Sequence, residues 1–233
     1  MRIVLMGLMA CFFLSQSSYA QTRNLDAFEK LRVSGGIEVN LFKSNDHKAD
    51  IEMERGEYDD LVTEVKGGVL VIKFKSKKLS WGNNNNKASI DLYYKTLRSL
   101  DISAGSTVKG SEPISSGSMD IDVSSGARCA VELETGELSV DISSGASCTL
   151  SGSAEDQKVD VSSGASYNGE KLASKYTNVD ASSGASARVW VTDRLVADAS
   201  SGASIRYKGN PKKTDIDSGK WSGGSVKKMG GDK

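Results

Sequence analysis

The chain has 233 residues, 38% hydrophobic and 26% charged, with 30 basic residues balanced by 30 acidic ones. That length supports one or two domains with a real core. A formal net charge of zero argues against a nucleic-acid partner, since phosphate binding needs a basic excess or a basic face.

Residues 1–20 read as a targeting signal. Arg2 supplies a positive start, Ile3 to Leu14 is an apolar run, and Ser18-Tyr19-Ala20 places small residues at the cleavage positions. A rival reading takes Leu8-Met9-Ala10-Cys11 as a lipoprotein signal with Cys11 acylated, at the cost of a shorter apolar stretch. Either way the chain is expected to be exported, to the periplasm, the outer-membrane surface or the extracellular space. No later stretch is long and apolar enough to cross a membrane as a helix.

Residues 21–99 read as irregular β-structure that begins and caps the repeats that follow; a separate small β-domain is the alternative. Ile37 to Leu41, Ile51 to Glu54, Val69 to Phe74 and Ser89 to Tyr94 have strand character. Leu31 to Gly36 resembles a degenerate form of the later turn. Leu61, Val62 and Val65 predict one short helix over 57–65. The stretch 81–86, Trp-Gly-Asn-Asn-Asn-Asn, reads as a surface loop in which Trp81 is a candidate ligand contact.

Residues 100–221 are repetitive. Gly105, Gly126, Gly145, Gly164, Gly184 and Gly202 recur at spacings of 21, 19, 19, 20 and 18, each in a near copy of Asp-x-Ser-Ser-Gly-Ala. A decayed copy, Asp-Ile-Asp-Ser-Gly-Lys, spans 215–220. Aligned on glycine, the copies show apolar columns five and three residues earlier, with Asp101, Asp122, Asp141, Asp160, Asp180 and Asp198 between them. Apolar–Asp–apolar is period two, the signature of a strand with one buried face. One repeat cannot bury that face alone, so copies must stack at about 4.8 Å as parallel strands, which makes a β-helix of about seven rungs. Glycine suits a corner that demands positive φ, serine can bond turn amides through its hydroxyl, and the following Ala is an inward corner residue. Residues 222–233, rich in Gly and Lys, read as a flexible tail.

The sequence resembles a known family at Phe28-Glu29-Lys30-Leu31-Arg32-Val33-Ser34-Gly35-Gly36-Ile37-Glu38-Val39, at Leu97-Arg98-Ser99-Leu100-Asp101-Ile102-Ser103, and through the Ser-Gly-Ala repeats after that. Over roughly residues 27–221 it is similar to the autotransporter-adhesin head GIN domain family. The resemblance implies an all-β fold, a right-handed single-stranded parallel β-helix shaped like pectin lyases but without their catalytic residues, and an adhesion role. It carries over no catalytic residue. The chain is too short for a transmembrane barrel of its own, a departure from literal autotransport.

The remaining chemistry favours structure over catalysis. His47, the only histidine, lies in a polar turn with no marked nucleophile and reads as a surface residue. The repeated serines lack the Gly-x-Ser-x-Gly context of a nucleophile elbow, and a uniform acidic ladder singles out no glycosidase pair. The ladder must offset its own repulsion. Serine hydroxyls, backbone amides or nearby Lys and Arg are one means, and bound calcium, which favours several carboxylate oxygens, is the other. Cys129 and Cys148 occupy one column and should be neighbours, either as a disulfide or as buried thiols. Trp190 and Tyr207 form no repeated sugar-stacking column, and Trp221 reads as a cover for the last rung. The expectation is a non-enzymatic, cofactor-free interaction protein of the cell envelope that meets a cell-surface protein or glycan and self-associates. A glycan- or calcium-binding module and, last, a polysaccharide-degrading enzyme are the alternatives.

Overall fold

The computed structural model describes residues 21–75, 86–110, 112–219 and 222–230; the expected signal sequence, Trp81 and Trp221 lie outside the described residues. The strands are β1 (Gln21–Asn24), β2 (Lys30–Ser34), β3 (Glu38–Lys43), β4 (Lys48–Arg55), β5 (Leu61–Lys66), β6 (Val69–Phe74), β7 (Lys87–Tyr94), β8 (Ser99–Ser103) and β9 (Thr107–Gly110). They continue as β10 (Ile114–Val123), β11 (Arg128–Ile142), β12 (Ser147–Val161), β13 (Ser166–Ala181), β14 (Ser186–Ala199), β15 (Ser204–Lys208), β16 (Lys213–Asp217) and β17 (Ser225–Lys228). The architecture is a β-solenoid of about seven turns with a mixed N-terminal sheet.

Equal positions of successive repeats pair in parallel. Ile121 faces Leu100 and Val140, Asp141 faces Asp122 and Asp160, and Cys129 faces Cys148. Each long strand runs out of one glycine turn, bends around the far corner and enters the next. The apolar columns point inward: Leu100, Ile102, Val140, Val159 and Val179 are fully buried. Tyr167 is also fully buried, and its column neighbours are the small Cys148 and Ala187, which leave room for the ring.

The turn itself is built from two consecutive left-handed residues. In Ser143-Ser144-Gly145-Ala146, φ is 55° at Ser144 and 68° at Gly145, and the Ala146 amide donates to the Ser143 carbonyl at 3.1 Å. Positive φ at both central positions is the pattern of a type I′ turn. Among the described residues the hydroxyls of the paired turn serines accept no bond from the turn amides, contrary to expectation; only Ser106, in the alanine position, accepts one, from the Ile37 amide at 3.4 Å. The Gly145 amide instead donates to the Ser163 carbonyl of the next rung at 3.1 Å, so the corner joins the same axial ladder as the strands. The following alanines, Ala127, Ala146, Ala165, Ala185 and Ala203, are buried as predicted, and Ser106 takes that place in the first copy.

The N-terminal part departs from sequence order. β2 pairs in parallel with β8 on one side and β6 on the other, and β3 likewise with β9 and β7. The rung formed by residues 30–43 is therefore inserted between 69–94 and 99–110. The Leu31–Gly36 turn does match the later type, since the Gly36 amide donates to the Ala104 carbonyl at 2.9 Å. Beyond β6 and β7 the end is closed by antiparallel strands, β5 on β6, β4 on β7 and β1 on β4. The predicted helix over 57–65 is absent. Tyr58–Asp60 make a single 3-10 turn, and Leu61–Lys66 form β5, where cross-strand pairing with β6 outweighs weak helical spacing.

Two corrections concern the C-terminal end. The decayed copy is out of register, because Asp198 pairs with Asp217 rather than Asp215. The turn glycine of this rung is Gly223, with φ 73°, and the Gly202 amide donates to the Ser222 carbonyl. The expected flexible tail thus supplies β17, paired with β15, because Val226 continues the apolar column above Ile205.

Gly152 marks a place where rungs touch through backbone: its φ is 103°, and a Cβ there would lie 2.0 Å from the Leu133 carbonyl oxygen. Gly152→Ala should destabilise the fold by about 2 kcal/mol or more, whereas Gly117→Ala, which meets nothing within 4 Å, should cost roughly 0.5 kcal/mol or less. Urea denaturation of both variants checks this; equal midpoints would contradict the predicted clash.

Candidate functional site

Among the outward grooves of the described residues, two run along the regular repeats. The first, of about 440 Å³, lies between the aspartate column and the first serines of the turns, with Asp122, Asp141, Asp160, Asp180 and Asp198 along one side and Ser143, Ser162, Ser182 and Ser200 along the other. Aspartate and serine are two residues apart on each strand, so period two puts both on the outer face. The serine hydroxyls do not donate to these carboxylates among the described residues. Relief comes from cations: Arg32, stacked on Asp101 by the inserted rung, bonds it at 2.6 Å, and Lys158 meets Asp160 at 3.1 Å. Partial burial, then repulsion from neighbouring carboxylates, raises the pKa of Asp122, Asp141 and Asp180 above 3.8. Among the described residues no three His, Cys, Asp or Glu side chains are grouped closely enough to hold a metal ion.

The second groove, of about 760 Å³, follows the far corner, where the long strands bend. Its rim carries Glu137, Asp156, Tyr176 and Arg194 from one outward column and Lys158 and Asn178 from another. Its floor includes Gln157 and Thr177, each 3% exposed. Gln157 Nε2 donates to the Tyr167 hydroxyl, and Ser174 Oγ lies 3.2 Å from Gln157 Oε1 and 2.6 Å from Thr177 Oγ1. This network satisfies the polar groups inside the corner and fixes the floor. Tyr176 is 45% exposed, unusual for so large a side chain here. The sequence reading missed it by searching for recurring aromatics. Its signal was a single aromatic in an otherwise charged column.

Cys129 and Cys148 are adjacent, buried and free. A hydrogen bond from Cys129, then burial, pushes the Cys148 thiol far above its ordinary value. His47 is half-buried rather than on the surface, its ring edge-on to Phe28 at 4.9 Å between centroids. Trp190 is half-buried under the Lys208 ammonium, 4.1 Å from its ring centroid.

The family model for the "Putative auto-transporter adhesin, head GIN domain" matches residues 27–211, which span the inserted rung and the glycine turns up to Gly202. The chain belongs to the head GIN domain family. No curated protein matches the sequence. Crystal structures that share the fold include three with these likenesses. A putative adhesin from Bacteroides fragilis NCTC 9343 has 15% identity and a TM-score of 0.78, over 92% of this chain and 94% of the other. One from Parabacteroides merdae ATCC 43184 has 19% and 0.71, over 91% and 96%. A putative lipid binding protein from Parabacteroides distasonis ATCC 8503 has 19% and 0.62, over 91% and 97%. At such identities the head GIN likeness is one of fold. No helix among the described residues is long and apolar enough to cross a membrane.

Two outcomes follow for this head GIN chain. With pKa values raised above 3.8, Asp122, Asp141 and Asp180 hold more protons folded than unfolded, so their contribution to stability falls as pH rises through the raised values. Replacing all three by Asn should raise Tm at pH 7, and the gain should shrink as pH falls through the raised values and vanish only below 3.8, by about pH 3. A gain independent of pH would refute ladder repulsion. Separately, a thiol reagent should leave Cys129 and Cys148 unmodified in the native protein and label both after denaturation; rapid native labelling would contradict their burial.

Proposed function

We propose that this head GIN domain is an exported, non-catalytic interaction protein of the cell envelope, using the outside of its solenoid to hold a cell-surface partner. The observation that carries this reading is the second groove: an exposed aromatic among mixed charges and an amide, over a floor fixed by internal hydrogen bonds. Rigid, polar and aromatic-rimmed concavities suit recognition. The raised carboxyl pKa values recur at three successive positions of one column, as stacking produces, and so do not mark a single acid.

Among partners, a glycan is favoured by Tyr176, whose ring is free to stack on a sugar while Asn178, Arg194 and Asp156 bond its hydroxyls. The purified chain should be retained by particular members of a glycan array, and Tyr176→Ala should weaken retention by about tenfold. Retention unchanged by that substitution would move the site to another face. Release of oligosaccharides from any retained polysaccharide would overturn the non-catalytic reading.

A further inference from the structure

The two ends of the solenoid differ. Antiparallel strands lie over the N-terminal end, with β1 and β5 outermost, whereas at the C-terminal end, among the described residues, β16 pairs only with β14 and β17 only with β15, both in parallel. Both final strands therefore present an open hydrogen-bonding edge. The core is also incompletely covered there: Ile216 continues the column of Ala197 and is 41% exposed, and half-buried Val226 continues that of Ile205.

We propose that this end is a dimer interface in which two copies of the chain stack end to end about a two-fold axis lying along the strands. That axis sets β17 of each copy antiparallel to β16 of the other, so both open edges are used at once and the contact closes on itself. Period two requires inward residues to face inward ones. Ile205 and Ala197 are buried, so their partners Val226 and Ile216 point into the end of the core. The register that sets Val226 against Ile216 also sets Lys227 against Asp215 on the outer face. A slip of two residues one way sets Lys227 against Lys213. A slip the other way sets Val226 against Ser218 and Lys228 against Ile216. The other two-fold pairs β17 with its own copy and crowds the lysines of both chains. One arrangement thus satisfies the apolar pair, the charges and both edges, and it does so twice per dimer.

Sedimentation velocity of the purified chain over a concentration series at low salt tests this. The chain should form dimers. Asp215→Lys and Lys227→Asp should each weaken self-association by about tenfold, because two exposed attractions become two repulsions, with Tm unchanged when it is read at a concentration where parent and variants are all monomeric. An equimolar mixture of the two variants should recover a heterodimer, in which both contacts again join opposite charges. Ile216→Ser should also weaken the dimer without touching its charges. A monomeric parent at every concentration up to about 1 mM, variants that associate as tightly as the parent, or a mixture that fails to recover association would each overturn the proposal.

Discussion

The repeats, the core and both grooves of this molecule depend on parallel strands meeting in register along one axis. Within a rung the chain forms few bonds with itself. Its amides and carbonyls are satisfied by the rungs before and after, even at the corner, where the Gly145 amide reaches the Ser163 carbonyl. Register therefore determines which side chains meet, and period two determines whether they meet in the core or in water. The same constraint that builds a continuous apolar interior forces the aspartates into a column of like charge. The protein tolerates this repulsion because the column faces solvent and two cations interrupt it.

The repeats were largely legible because the information is local and reiterated. The glycine spacing, the two apolar columns and the buried alanine after each glycine all carried directly into neighbouring positions, and Cys129 beside Cys148 checks the alignment independently. The turn serines were legible only in position. A hydroxyl beside an amide suggests a bond, yet the stacked backbone had already taken the amide. The last rung misled because Asp215-Ile216-Asp217 offers two aspartates for one column, and local likeness to the motif chose the wrong one.

The N-terminal part was legible as strands but not as an arrangement. β6 and β8 carry similar apolar alternation, and both can lie beside β2, as they do. Nothing local says which comes between the others. The second groove was hidden for a related reason: it arises where long strands bend, and curvature is a property of the stacked rungs rather than of any one segment. Tyr176 was visible as a residue, but its setting was not.

The inserted rung has a consequence for assembly. Because residues 30–43 are flanked on both sides by strands made later, one edge finds partners only in β6 and β7, and the other only in β8 and β9, once the chain has been synthesised to residue 110. Growth from the amino end cannot proceed rung by rung there, whereas the copies after β8 can add in order. The starting template of the solenoid is thus a non-local knot of contacts, slow to form by the usual relation between loop closure and rate. The regular copies behind it need only one another, since β10 to β14 pair in sequence, so the long-range step of assembly lies at the amino end.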